Sequence, residues 1–205
     1  MMRADRVAAP PLTGLILCGG RSRRMGVDKA VLVVDGERLV DRAARRLRAV
    51  SDPVLLAPGE RPLTVSGCAS VPESVAAGPL SGIVSGLRAS PHDLTAVVAV
   101  DMPWLDAELL ALLAAACSTE DDAVVPLSVN GLEPLHAVYA RSALPAMAGA
   151  LAGGRLRMRA VLDDLRVRTI DVADLLADQR AGRFAVNLNC ADDLVTLGEA
   201  PPAPG

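Results

Sequence analysis

Aromatic side chains are nearly absent from this 205-residue chain, which has one Trp, one Tyr and one Phe. No series of rings exists to stack on successive bases, which speaks against a single-stranded nucleic-acid groove. The core must therefore be built from Leu, Val and Ala. Positive charge is not in excess either: the formal net charge is -3 and the pI is near 5.4, so the chain has no general attraction to a polyanion. Nucleic acid is not expected as a partner. No run of about 18 consecutive apolar residues occurs, and the start, MMRADRVAAPPLTG, has no apolar stretch of signal-peptide length. Neither membrane association nor export is expected. The four cysteines, Cys18, Cys68, Cys117 and Cys190, are scattered without a CxxC pair, and only His92 and His136 could join them as soft metal ligands. Reduced thiols and a cytoplasmic location follow as expectations.

What is present is an alternation of short aliphatic runs with longer helical patterns, which predicts an α/β fold with a mostly parallel central sheet covered by helices in three layers. Strands are expected at 14–17, 53–57, 95–100, 123–127, 136–140 and near 167–170, with helices at about 38–50, 81–89, 106–117, 142–151 and 157–165 and a last one after Asn189. One domain over 13–198 is expected, because about 200 residues suit one core. The segments 1–12 and 199–205 are expected to be flexible tails, being rich in proline and poor in residues to bury. On the 38–50 helix, Leu39, Val40, Ala43, Leu47 and Val50 fall on one face, which leaves Arg42, Arg45, Arg46 and Arg48 mostly on the wet face.

The strongest chemical signal is LILCGGRSRRMGVDKA at 15–30. An apolar strand leads into Gly19-Gly20, where missing side chains let backbone N–H groups approach a phosphate. Arg21, Arg23, Arg24 and Lys29 bring positive charge to the same loop. The spacing fits neither a phosphate loop ending in Gly-Lys-Ser/Thr nor the Gly-x-Gly-x-x-Gly of dinucleotide-binding folds. In VVAVDMPWL at 97–105, Asp101 ends a strand apolar on both faces, where open α/β sheets bind ligands, and its hard carboxylate suits Mg2+. PESVAAGPLSG at 72–82 sets Gly78 and Pro79 in a tight turn, either against a base or ribose or as fold punctuation. In FAVNLNC at 184–190, Asn187 and Asn189 lie on one side of an extended segment and suit a polar acceptor, although Asn189 also suits a helix cap. His136 in EPLHAVYA reads as a packed or surface strand residue, and Cys18 as a small packing residue without a base to activate it.

These four segments, in this order, resemble the MobA-type molybdenum cofactor guanylyltransferases, within the nucleotidyltransferases of Rossmann-like fold. LILCGGRSRRMGVDKA corresponds to the family's LAGGxSxRMGxDKA, GPLSG to GPLxG, AVDMPWL to its strand-Asp-x-Pro segment, and VNLNCADDL to NVNTPEDL. The resemblance covers nearly all of 13–198. It implies that the terminal phosphate of molybdopterin, or of its molybdenum-loaded form, attacks the α-phosphate of Mg·GTP and releases pyrophosphate. Lys29, Asp101 and Arg24 would be catalytic, and Asp101 would hold Mg2+. Leu17, Cys18, Gly19, Gly20, Glu73, Gly78 and Pro79, together with Lys29 and Asp101, would contact the nucleotide. Asn187 and Asn189 would contact the acceptor. Transient contact with molybdoenzymes or cofactor-delivery proteins is also implied. Gly19-Gly20 favours guanine, where cytidylyl relatives carry LAAG. Three departures stand out: Cys18 replaces an alanine, Glu73 stands where an aspartate is usual, and LLAPGER at 55–61 lacks the family's asparagine. The alternatives are a cytidylyltransferase for the same cofactor, another nucleotidyltransferase with a phosphorylated acceptor, and a non-catalytic nucleotide-binding or cofactor-carrying module.

Overall fold

The computed structural model describes residues 9–19, 28–59, 62–72, 78–176 and 183–188. A sheet of eight strands forms its centre. Strand β1 (Leu12–Leu17) lies between β4 (Val54–Ala57) and β6 (Leu94–Ala99), all parallel, and β5 (Ala69–Ser70) extends the β4 edge, also parallel. On the other side β9 (His136–Ala140) runs antiparallel between β6 and β7 (Ala123–Ser128). Strand β10 (Val167–Asp171) closes that edge parallel to β7, and the two-residue β8 (Gly131–Leu132) folds back on β7. The expected mostly parallel α/β sheet is thus present.

Every residue of β1 and of β4 is buried, as strands with helices on both faces require. Alternation divides them: Ile16 and Val98 face one layer, Leu15, Leu17 and Val97 the other. The first layer holds α1 (Leu39–Leu47) and α3 (Ala107–Ala116), and Phe184 and Leu188 join its core. The second holds α2 (Pro79–Ala89), α4 (Leu144–Ala152) and α5 (Met158–Leu162). Helix α2 presses close to β1: a Cβ on Gly86 would overlap the side chain of the fully buried Leu15. No helix among the described residues is long and apolar enough to cross a membrane.

Two expectations change. Strand β1 begins at Leu12, which is buried and belongs to the sheet, not to a tail. Arg42 and Arg46 are not on the wet face. Arg42 is 6% exposed and donates to the Val34 carbonyl at 2.6 Å and to Asp35 at 2.7 Å. These groups belong to a hairpin of β2 (Val33–Val34) and β3 (Glu37–Arg38), which short polar residues such as Asp35-Gly36 turn at positive φ. Arg46 reaches across to the Leu105 carbonyl at 2.9 Å, and burial lowers its pKa. Arg45 and Arg48 are exposed, as expected. The last helix after Asn189 lies outside the described residues.

Candidate active site

The carboxyl ends of β1, β4 and β6 meet at one edge of the sheet, where a parallel sheet leaves a crevice. The chain leaves β1 at Leu17, whose carbonyl accepts Val100 N–H at 3.1 Å. The N–H groups of Cys18 and Gly19 both donate to the Ala57 carbonyl at the end of β4, at 2.9 and 3.0 Å. Gly59 lies alongside: a Cβ there would be 3.5 Å from the Gly19 Cα. The loop start is therefore tied to the sheet edge before the chain reaches Gly20, which lies outside the described residues with Arg21, Arg23 and Arg24. Cys18 is buried, and its thiol lies 3.6 Å from the Ile16 carbonyl, within its own strand end.

The chain re-enters at Asp28, whose carboxylate accepts Ala30 N–H at 3.0 Å and so caps the 3₁₀ turn Lys29–Val31. That cap fixes the backbone from which Lys29 extends. The Lys29 ammonium donates to Asp101 Oδ2 at 2.7 Å, with the two side chains 19% and 23% exposed. The two residues that the sequence singled out in separate motifs thus meet at one point, where the chain has just left β6. The site has an anionic and a cationic group in contact, both reachable from solvent. Among the described residues no group of three or more His, Cys, Asp or Glu forms a closed metal cage. A partly exposed single carboxylate of this kind suits Mg2+, which keeps several waters and is usually held by one or two carboxylates together with substrate phosphates.

The turn after Asp101 is fastened from several sides. Met102 and Leu105 are buried, and Asp106 caps α3 by accepting Leu109 N–H at 3.0 Å. His136, fully buried on β9, presents Nε2 to the Asp106 backbone N–H at 3.0 Å. Since a backbone N–H only donates, Nε2 must be the unprotonated acceptor. Burial drives the His136 pKa down to about 4, so the ring is neutral near pH 7. Its Nδ1 has no hydrogen-bond partner among the described residues. The segment 183–188 crosses the same turn: Arg183 lies 4.8 Å over the Trp104 ring, Phe184 meets the His136 ring edge-on at 4.9 Å, and Leu188 N–H donates to the Asp101 carbonyl at 2.9 Å. Asn187, one residue before that bond, is thereby carried beside Asp101, and its Nδ2 donates to the Ala185 carbonyl at 3.3 Å.

Gly78 has φ +73 and opens α2, with Pro79 at the first helical position. Because α2 follows the parallel strand β5, the turn lies toward the same carboxyl edge of the sheet. Glu73 and Asn189 lie outside the described residues. His136 is packed, not exposed, as one of the two expectations for it had it. Missed in the sequence were Asp28, whose residue type favours caps and turns of this kind, and Trp104, Arg183 and Phe184, whose contacts only the fold creates. A separate open depression of about 560 Å³ lies between α5 and β10, lined in part by Arg157, Arg159 and Asp163, and none of the sequence-derived site residues lines it.

Residues 14–169 match the MobA-like NTP transferase domain. The molybdenum cofactor guanylyltransferase of Desulfosudis oleivorans is 35% identical over 170 residues, covering 81% of this chain and 84% of that protein. A probable molybdenum cofactor guanylyltransferase of Opitutus terrae is 38% identical, covering 84% and 88%. In fold, the chain is similar to the crystal structure of molybdopterin-guanine dinucleotide biosynthesis protein A from Archaeoglobus fulgidus, with a TM-score of 0.74, 24% identity and coverage of 90% and 95%. With its domain matched over most of its length and relatives of this identity along nearly the whole chain, the protein belongs to the MobA-like NTP transferase family.

Proposed function

We propose that this chain transfers GMP from GTP to the terminal phosphate of molybdopterin, bare or molybdenum-loaded, and releases pyrophosphate. The observation that carries the proposal is the Lys29–Asp101 contact at the carboxyl edge of a nucleotidyltransferase sheet. Relatives named as guanylyltransferases for the molybdenum cofactor supply the substrate pair. In the reaction an oxygen of the acceptor phosphate forms a bond to the α-phosphorus of GTP. The bond from that phosphorus to the bridging oxygen breaks, and pyrophosphate leaves with the electron pair. Transfer of this kind needs alignment and neutralisation of spreading negative charge, not a protein nucleophile.

Asp101 would hold Mg2+, which when bound neutralises phosphate charge. Lys29 would move from Asp101 to the phosphate oxygens, a reach its flexible four-carbon stem permits. Arg24 would add a second cation to the leaving phosphates. Since the Cys18 and Gly19 N–H groups serve the Ala57 carbonyl, any phosphate contact to a backbone N–H of this loop would come from Gly20 onward. Leu17, Cys18 and Gly19 would form the floor of the nucleotide site, with Gly78 and Pro79 on its α2 side, and Glu73 would also contact the nucleotide. Asn187 and Asn189 would face the acceptor. The contacts with cofactor-delivery proteins and molybdoenzymes, and a cytoplasmic setting, belong to the same proposal.

The test is pyrophosphate release from GTP and Mg2+ with and without molybdopterin. Release that depends on molybdopterin and on GTP supports the proposal. Preference for CTP would replace guanine by cytosine, and no release with any nucleoside triphosphate would refute transfer.

A further inference from the structure

The turn 101–106 has few bonds of its own. Among the described backbone bonds, Met102 N–H reaches Ala99 at 3.3 Å and Leu105 N–H reaches Met102 at 3.1 Å. Where Asp101 points therefore depends on what touches the turn from outside: Lys29 on its carboxylate, Arg46 on the Leu105 carbonyl, and the residues packed beneath. Beneath it stands His136, which pairs in register with Val98 of β6 and sends its ring into the α3 layer. Two contacts of that ring bear on the turn. Nε2 takes the N–H of Asp106, at the far end of the turn. An edge-to-face contact takes Phe184, four residues before the Leu188 N–H that binds the Asp101 carbonyl.

We infer that His136 is a positioning residue of the transfer site, helping to fix through Asp106 and Phe184 the two chain segments that converge on Asp101. The inference rests on the proposed role of Asp101.

The cost of the ring supports it. With Nε2 accepting, Nδ1 carries the proton, and this buried donor has no partner among the described residues beyond its own backbone. A buried donor matched so poorly destabilises a fold by up to about 1–3 kcal/mol. A leucine in the same layer would fill similar space without that loss. What leucine cannot supply is an acceptor for Asp106 N–H together with a flat ring edge for Phe184. Departures from cheap packing of this kind concentrate at functional sites. The chemistry of His136 remains indirect: it is fully buried, and its described contacts are with the protein.

The experiment compares His136→Leu with His136→Gln, whose side-chain oxygen can still accept from Asp106. Two readouts are taken. Amide hydrogen exchange on the metal-free protein follows the Asp106 and Leu188 N–H groups, and steady-state transfer gives kcat, KM for GTP and the Mg2+ concentration for half-maximal rate. His136→Leu is expected to lose about tenfold of protection at both amides, the equivalent of one hydrogen bond. It should also lower kcat about tenfold and raise the Mg2+ requirement, with KM for GTP within about twofold. His136→Gln should recover the protection at Asp106 but not at Leu188, because it offers Phe184 no ring edge, and should recover only part of kcat. A folded His136→Leu with unchanged Leu188 exchange and unchanged kcat would overturn the inference, leaving His136 as packing alone. If His136→Leu does not fold, Phe184→Leu keeps the Asp106 bond and removes the ring contact. Loss of Leu188 protection supports the inference, and unchanged protection overturns it. Asp101→Asn is measured in parallel: transfer retained there refutes the metal site itself, whereas loss there with a normal His136→Leu refutes only the positioning role.

Discussion

Replacing Lys29 by methionine separates the Asp101 contact seen in the structure from the phosphate role proposed for this side chain. In the structure its ammonium lies 2.7 Å from Asp101 Oδ2, so the oxygen proposed for the metal is already neutralised. A divalent ion must displace that ammonium or share the carboxylate with it. The size of the effect can be bracketed. Exposed ion pairs are worth about 0.2–1 kcal/mol, and hydrogen bonds to charged groups about 1.5–3 kcal/mol. With side chains only 19% and 23% exposed, the pair falls in the upper bracket. Removing the ammonium should therefore tighten binding of a divalent ion to the protein alone by about tenfold to a hundredfold, since each 1.4 kcal/mol is a factor of ten. Under the proposed function the same change would also deprive the transferring phosphates of a cation, and loss of one such stabilising group lowers kcat by about a hundredfold to a thousandfold. The assay is titration of Lys29→Met with Mn2+ by electron paramagnetic resonance, without nucleotide, beside pyrophosphate release with GTP. Tighter Mn2+ binding with slower transfer is the expected pair of results. Mn2+ affinity equal to that of the natural protein would refute the competition, and unimpaired transfer would refute the phosphate role.

Two further outcomes follow from the packing. Gly86→Ala puts a Cβ into the side chain of Leu15, which is fully buried and cannot move into solvent, so overpacking should cost about 1–3 kcal/mol and lower the urea midpoint without changing m; an unchanged midpoint would show that β1 and α2 can move apart freely. For His136, burial favours the neutral ring and lowers the pKa from 6.5 to about 4. The unfolded chain takes up its proton first as pH falls, so stability is fully present above about pH 6.5 and declines toward pH 4, by about 3 kcal/mol in all at 1.36 kcal/mol per unit. Chemical denaturation at several pH values should give that slope in the natural protein and a shallower one in His136→Gln.

The sheet was legible where burial is two-sided. TAVVAV has no polar face, so it had to be a central strand, and its carboxyl end then located Asp101 without further information. The two-residue strands β2, β3, β5 and β8 are too short for any period to be read, and they went unseen. Arg42 and Arg46 were misassigned for a different reason. Helical periodicity ranks the faces of α1, but the Val34 and Leu105 carbonyls that draw these guanidinium groups inward come from outside the helix. In the site, Lys29 and Asp101 were each visible from their own segments, yet their contact depends on the adjacency of β1 and β6. The role argued for His136 left no residue pattern, because its partner is a backbone N–H, which every residue except proline supplies.

The bond from Leu188 to Asp101 also has a consequence for synthesis on the ribosome. Chains emerge at about 5–20 residues per second and fold as units during or after emergence. Strands β1, β4 and β6 and the Lys29–Asp101 pair can come together before residues 183–188 have been added. The turn at Asp101 then still lacks Phe184 and Leu188, and part of the α3 layer is open to water. A nascent chain at that stage would have the charged pair without the Leu188 fastening, so the turn at Asp101 is completed only once residues 183–188 have emerged.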